Sequence, residues 1–228
     1  MSEPRAIAGL ELQEITFSYE KKTPLLLGAS GAIRKNQVCC LLGASGAGKS
    51  TLLRLIAGIE RPASGRLLLD GEEMTGPRVH LPPERRGIGF AFQDARLFPH
   101  LSAARNVMFG MRNATRRERR QRTASVLDRL GVLSRSEAKP HQLSGGEQQR
   151  VSVARALATE PRAMLLDEPF RSLDAESREQ TCSLVIEVLR ERGVPVLIVT
   201  HDAEEADRVA DTCWTLRDGM LKTNAEVS

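Results

Sequence analysis

Two short stretches of this sequence hold residue types suited to phosphate. The first runs Gly43-Ala44-Ser45-Gly46-Ala47-Gly48-Lys49-Ser50, with Thr51 following, and the second runs Leu143-Ser144-Gly145-Gly146-Glu147-Gln148-Gln149-Arg150. The first fits G-x-x-x-x-G-K-[ST], a loop whose glycines let backbone N–H groups turn inward onto phosphate oxygens. A helix starting at its end adds roughly half a positive charge. Lys49 can reach the β- and γ-phosphates, and the Ser50 hydroxyl can ligate Mg²⁺. The chemistry implied is binding of a nucleoside triphosphate. The bland alternative, a glycine-rich turn, leaves the Lys-Ser pair unexplained.

A third stretch supplies carboxylates. The apolar run Ala163 to Leu166 leads into Asp167-Glu168-Pro169. An aspartate at the end of a buried strand is placed to hold Mg²⁺, either directly or through the ion's bound water, the role of a Walker B aspartate. Glu168, one residue on, could polarise an attacking water as general base. An acidic loop after a strand is common in isolation; its pairing with the glycine loop gives it weight. The stretch at 143–150 has a structural competitor too. Ser144 and Glu147 are spaced as a capping box before a helix containing Val151, Val153, Ala154 and Leu157. That box does not require Gly145-Gly146, which are costly at a helix start unless the backbone approaches something closely. Phosphate is the natural candidate, and capping and binding can coexist.

The elements that position these groups are legible in outline. Val38 to Leu42, Ala163 to Leu166 and Val196 to Val199 are short apolar runs, each followed at once by polar residues. They read as central parallel strands buried on both faces, with chemistry at their carboxyl ends. Ser50 to Ala57 reads as a helix capped by Gly58. Leu10, Leu12, Ile15, Phe17 and Tyr19 alternate as a half-buried strand of an antiparallel sheet. From Asp94 to His141 the pattern is helical, rich in arginine and free of strands. The expected fold is therefore α/β: a P-loop NTPase core of mostly parallel sheet over residues 1–93 and 160–228, with an antiparallel β subdomain. A helical subdomain over 94–159 carries the 143–150 motif.

Composition sets outer bounds. A chain of 228 residues holds one large or two closely packed domains. It contains no apolar run of the roughly 18 residues a membrane helix needs, and Met1 to Leu10 show no signal-peptide pattern. The expectation is a soluble, cytosolic chain. Four cysteines, with Cys39 and Cys40 adjacent in an expected strand, read as reduced structural thiols. The net charge of +4 is uninformative about nucleic acid.

With these motifs in order, the chain resembles the nucleotide-binding subunit of an ATP-binding cassette (ABC) transporter along essentially its whole length. The resemblance implies roles for residues that mean little alone. Tyr19 would stack on adenine, and Gln93 would be the Q-loop glutamine that touches metal or water. Asp174, in Ser172-Leu173-Asp174, would be the D-loop aspartate, and His201 the switch histidine. It also implies ATP and Mg²⁺ as cofactors, and a second copy of the chain. Two copies would sandwich two ATPs, with Ser144, Gly145, Gly146 and Glu147 of one facing the γ-phosphate held by Lys49 of the other. The remaining partners implied are an integral membrane permease and an extracytoplasmic solute-binding protein. The subunit would then sit peripherally on the cytoplasmic face of the membrane.

Pro82-Pro83-Glu84-Arg85-Arg86-Gly87-Ile88-Gly89, Gln93 and Leu97-Phe98-Pro99-His100-Leu101 are similar to importers of inorganic nutrients. Asp94-Ala95-Arg96 leans toward molybdate; Leu81 to Arg86 with His201-Asp202 leans toward ferric iron. Thiamine importers, whose ATPases are similarly short, stay open. Many relatives carry a C-terminal β-domain, whereas this sequence ends about nine residues after Gly219, which weighs against molybdate and against feedback control through this subunit. Arg171 departs from the small residue common at its position. Arg112, Arg116, Arg117, Arg119, Arg120 and Arg122 form no single stripe and read as a solvated face, with anionic lipid as the second option and nucleic acid not expected. Two other classes are weighed against the importer. An ABC-type ATPase acting on nucleic acid or ribosomes would call for a coiled-coil insertion or a second cassette, and a P-loop kinase leaves Ser144 to Glu147 and His201 unused.

Overall fold

The computed structural model describes residues 9–20, 24–111 and 114–224. Arg112 and residues 1–8 and 225–228 lie outside them. The chain builds two sheets. In the first, β1 (Gly9–Phe17) lies between β2 (Leu26–Arg34) and β4 (Ser64–Leu69), with β5 (Glu72–Thr75) at the edge and every pairing antiparallel. The second runs in the order β10 (Met220–Asn224), β9 (Thr212–Arg217), β3 (Val38–Leu42), β8 (Val196–Val199), β7 (Ala163–Asp167) and β6 (Ile88–Ala91). All its pairings are parallel except that of β10 with β9.

The apolar runs behave as strands covered on both faces. Side chains alternate across a strand with a period of two, so Cys39, Leu41, Leu165 and Leu197 enter one core while Cys40, Met164, Leu166 and Ile198 enter the other. The first core lies against the antiparallel sheet and α1 (Lys49–Ala57). The second packs against α2 (Ala103–Met108), α3 (Arg116–Arg129), α4 (Gly145–Leu157), α5 (Ala175–Arg192) and α6 (Ala203–Val209). Among the described residues no strand lies between β6 and β7. All four cysteines are buried and free.

In β1, Leu10, Leu12, Ile15 and Phe17 are buried, but the step of three between Leu12 and Ile15 is a bulge. Both neighbouring registers shift there, and Glu14 takes φ 51°. The extra residue restores the buried face that strict alternation would have lost. Tyr19 falls beyond the strand and is exposed.

Helix α1 is apolar nearly all round, with Leu52, Leu53, Leu55 and Ile56 buried. Its carboxyl end is held by a residue that no sequence argument singled out for this purpose. Arg86 is fully buried, and burial is the one cause that acts on its charge. Its guanidinium donates to the Leu55 and Ile56 carbonyls at 3.0 and 2.9 Å, to Leu81 O at 2.8 Å and to Thr75 Oγ1 at 2.7 Å. The unpaired carbonyls that end a helix carry partial negative charge, which suits a buried cation. Burial still lowers the Arg86 pKa to about 10, leaving it charged at neutral pH.

Candidate functional site

Because β3, β8, β7 and β6 are parallel neighbours, their carboxyl ends fall along one edge of the sheet. The glycine loop leaves β3, His201 follows β8, Asp167 and Glu168 end β7, and Gln93 follows β6. At roughly 4.8 Å between strands, this row spans about 14 Å. Crevices at the carboxyl ends of parallel strands are where such sheets bind ligands.

The loop from Gly43 to Gly48 depends on its glycines at two points. Gly43 has φ 155°, and a Cβ there would meet Leu216 O at 2.6 Å. Gly48 caps α1 in the left-handed region at φ 102°, with Leu25 Cγ 3.0 Å from where its Cβ would stand. Ala44, Ser45 and Gly46 are exposed. Lys49, the first residue of α1, is 6% exposed. Its ammonium donates to Gly43 O at 2.7 Å and Ala44 O at 3.0 Å, so it bridges the loop from within. Beside it the Thr51 hydroxyl lies 3.1 Å from the Tyr19 hydroxyl, and the Tyr19 ring stands edge-on to Phe17 at 4.8 Å. The exposed tyrosine is thereby anchored at the rim of the loop.

Ser50 Oγ donates to Asp167 Oδ1 at 3.1 Å. Burial raises the Asp167 pKa; the Ser50 hydrogen bond and the Lys49 and Arg54 charges oppose that. A half-buried hydroxyl–carboxylate pair at a phosphate loop is a hard-oxygen donor set. It fits Mg²⁺, which takes only one or two protein ligands and completes its shell with substrate phosphates and water. Among the described residues no group of three His, Cys, Asp or Glu side chains is placed to hold a metal alone.

Glu168 adopts φ 43°, a left-handed conformation uncommon outside glycine. Its N–H donates to Val199 O at 3.0 Å, which ties the turn after β7 to β8. Its carboxylate is shared. Arg171 Nη1 donates to Glu168 Oε2 at 2.7 Å, while His201 Nδ1 stands 3.5 Å from the same oxygen. Glu168 and His201 line a small cavity with Arg171, Arg178 and Glu205. Glu205 is buried, burial pushes its carboxyl pKa up, and its Oε1 has no hydrogen-bond partner.

Gln93 sits exposed just past β6. The loop that follows is fastened on both sides. The buried Asn106 exchanges hydrogen bonds with Phe98 N and O at 2.7 and 3.2 Å. From α4, Arg155 donates to the Ala95 and Arg96 carbonyls at 3.0 and 2.8 Å.

Ser144 does form the capping box. Its Oγ accepts from Glu147 N at 3.2 Å, and Glu147 Oε2 accepts from Ser144 N at 2.7 Å. The two glycines have a structural use as well, because α4 starts tightly against α5. A Cβ on Gly146 would come within 3.1 Å of Thr181 Oγ1, and one on Gly145 within 3.3 Å of Leu173 Cδ2. Ser144 and Gly145 nonetheless remain exposed. Asp174 is likewise an N-cap, accepting from Ser177 N at 3.0 Å, and that bond holds its carboxyl below the usual range. The carboxyl edge of the core sheet thus gathers Lys49, Ser50, Asp167, Glu168 and His201, while the start of α4 stays exposed.

In the arginine-rich stretch, Arg119 donates to Ala114 O and Arg122 pairs with Glu160. Arg116, Arg117 and Arg120 line a shallow exposed groove with Gln121. No helix among the described residues is long and apolar enough to cross a membrane.

Comparison with known proteins agrees with this geometry. The chain is 47% identical over 183 residues to a molybdate/tungstate import ATP-binding protein of Archaeoglobus fulgidus, covering 80% of this chain and 75% of the relative. It is 46% identical over 213 residues to an Fe(3+) ions import ATP-binding protein of Pseudomonas fluorescens, covering 93% of this chain and 60% of the relative. Across such curated relatives it spans roughly half to three quarters of their length. An ATP-binding cassette solved as a dimer in a post-hydrolysis state, bound to ADP and Pi, superposes with a TM-score of 0.82 at 30% identity. That match covers 96% of this chain and 99% of the other. Residues 26–171 match the ABC transporter family model, and the chain belongs to that family.

Proposed function

We propose that this chain binds and hydrolyses ATP and thereby powers uptake of a small nutrient through a separate membrane permease. One observation carries the reading. Lys49 bridges the glycine loop from within while the adjacent Ser50 is bonded to Asp167, so a phosphate-binding loop and a metal-ligand pair meet at the start of one helix.

Backbone N–H groups of Gly43 to Gly48 and the Lys49 ammonium would hold the triphosphate, with Tyr19 against the base. Ser50 and Asp167, with Gln93 beside them, would hold Mg²⁺, which when bound neutralises charge on the phosphates. Glu168 would take the proton of the water as its oxygen bonds to the γ-phosphorus and the bond from that phosphorus to the ADP oxygen breaks, with His201 beside Glu168 at the departing phosphate. The product pair is ADP and phosphate.

Ser144, Gly145, Gly146 and Glu147 belong, on this reading, to the second copy's nucleotide, with Asp174 at the same interface. Support comes from the exposed Ser144 and Gly145 at the start of α4, since the first turn of a helix leaves backbone N–H groups without intrahelical acceptors. Ser144→Arg is then expected to leave ATP affinity of the isolated chain within about twofold and to depress turnover strongly. Ser144→Ala should cost only about 1 kcal/mol of helix cap. Equilibrium nucleotide binding and far-ultraviolet dichroism read the two effects separately. A loss of helix in the arginine variant that matches its loss of turnover would reduce Ser144 to a cap.

Relatives named for import of molybdate/tungstate and of Fe(3+) ions support an inorganic ion such as molybdate or ferric iron as cargo; an extracytoplasmic binding protein would deliver it, and the ATPase would sit peripherally on the cytoplasmic face. The test is to trap tagged Glu168→Gln with Mg-ATP in native membranes and identify what co-purifies. A multi-spanning permease is expected. Ribosomes or DNA-associated proteins in its place would overturn the transport reading and leave the ATPase intact.

A further inference from the structure

We propose that Arg171 restrains the free chain by occupying the oxygen that hydrolysis needs. The inference rests on Glu168 being the general base and deepens that reading. Its basis is one acceptor atom with two claimants. Glu168 Oε2 accepts a charge-assisted hydrogen bond from Arg171 Nη1 at 2.7 Å, and His201 Nδ1 is left at 3.5 Å, beyond hydrogen-bonding distance.

The pairing is built into the backbone. Glu168 is fixed by its N–H bond to Val199, and the turn Glu168-Pro169-Phe170-Arg171 closes with Arg171 N on Glu168 O at 3.3 Å. Phe170, 1% exposed, anchors the turn in the core. Arg171 therefore meets Glu168 within a single chain, with no second copy required. The Arg171 side chain is 54% exposed and that of Glu168 14%. The cation lies on the solvent side of the carboxylate and can swing away without unpacking anything.

A base accepts a proton through a free lone pair directed at the water. A guanidinium at 2.7 Å occupies one of those lone pairs. Arg171 thus slows the chemical step until it is drawn off, and only then can His201 close on Glu168. It is a positioning residue acting through Glu168, not a group that touches nucleotide. A small residue in its place leaves the base free at all times.

The experiment is steady-state ATP hydrolysis by the purified chain, comparing Arg171→Ala, Arg171→Gln and Arg171→Lys, alone and in the Glu168→Gln background. Turnover in the alanine and glutamine variants is expected to rise about threefold to fivefold, the range an ion pair half open to water supplies. KM for Mg-ATP should stay put, the lysine variant should remain near the parent, and all gain should vanish with Glu168→Gln. A merely structural Arg171 would lower the melting temperature without splitting kcat from KM. Unchanged or reduced turnover in both neutral variants, with Glu168→Gln inactive, overturns the restraint and leaves the base assignment standing. Undiminished turnover in Glu168→Gln removes the base assignment and the restraint with it.

Discussion

Lys49→Ala is expected to abolish ATP turnover and, with it, the thermal stabilisation that Mg-ATP gives the parent. Two losses combine. On the proposed reading the ammonium would hold the outer phosphates, and removing one donor of that kind costs about 10²–10³ in rate. Lys49 also donates to Gly43 O and Ala44 O, so alanine leaves the loop without its internal brace. A ligand at 100 times its Kd stabilises by about 2.7 kcal/mol. For a chain of this length that raises Tm by about 5–10 °C. The parent should show a shift of that size and Lys49→Ala almost none. The brace has its own readout, a lower Tm in the nucleotide-free variant. Normal turnover in Lys49→Ala would remove the glycine loop from the mechanism.

The parts of this site that are local in sequence are legible from the sequence alone. Strands at 38–42 and 196–199 fall where the apolar runs put them, and the Ser144 cap forms from its own four residues. Less was readable where geometry depends on partners distant in the chain. β2 escapes a periodicity argument because its buried residues, Leu26, Ala29 and Ile33, are spaced three and four apart around an irregular register. Arg86 sits among charged and proline residues that look like surface; only the fold shows it plugging the end of α1. Gly145 and Gly146 suggest room for a phosphate, and both also meet α5 or the turn before it within one chain. Close packing and ligand approach make the same demand on a glycine, so sequence alone does not separate them. Arg171 stood out as a departure, but its ion pair with Glu168 needs the turn geometry as well as the spacing of three.

Replacing Glu168 by glutamine is expected to separate binding from chemistry. Glutamine is nearly isosteric and neutral, so the left-handed backbone and the N–H bond to Val199 should persist. The proton acceptor is lost, and a positioned base contributes about 10²–10⁴ to rate; turnover should drop by that factor while ATP affinity is retained. With hydrolysis blocked, two chains joined across two nucleotides have no route to opening, so the variant should elute as a dimer in Mg-ATP and as a monomer without it. The closed state is favoured by the binding energy of nucleotide shared between two surfaces. On the proposed reading those surfaces would be the glycine loop of one copy and the exposed start of α4 in the other. Size-exclusion chromatography with light scattering decides the matter. A variant that remains monomeric in saturating Mg-ATP, or that turns over at the parent's rate, would place the base elsewhere among the groups at the carboxyl edge. His201 is next in line there, because it already shares the cavity with Glu168.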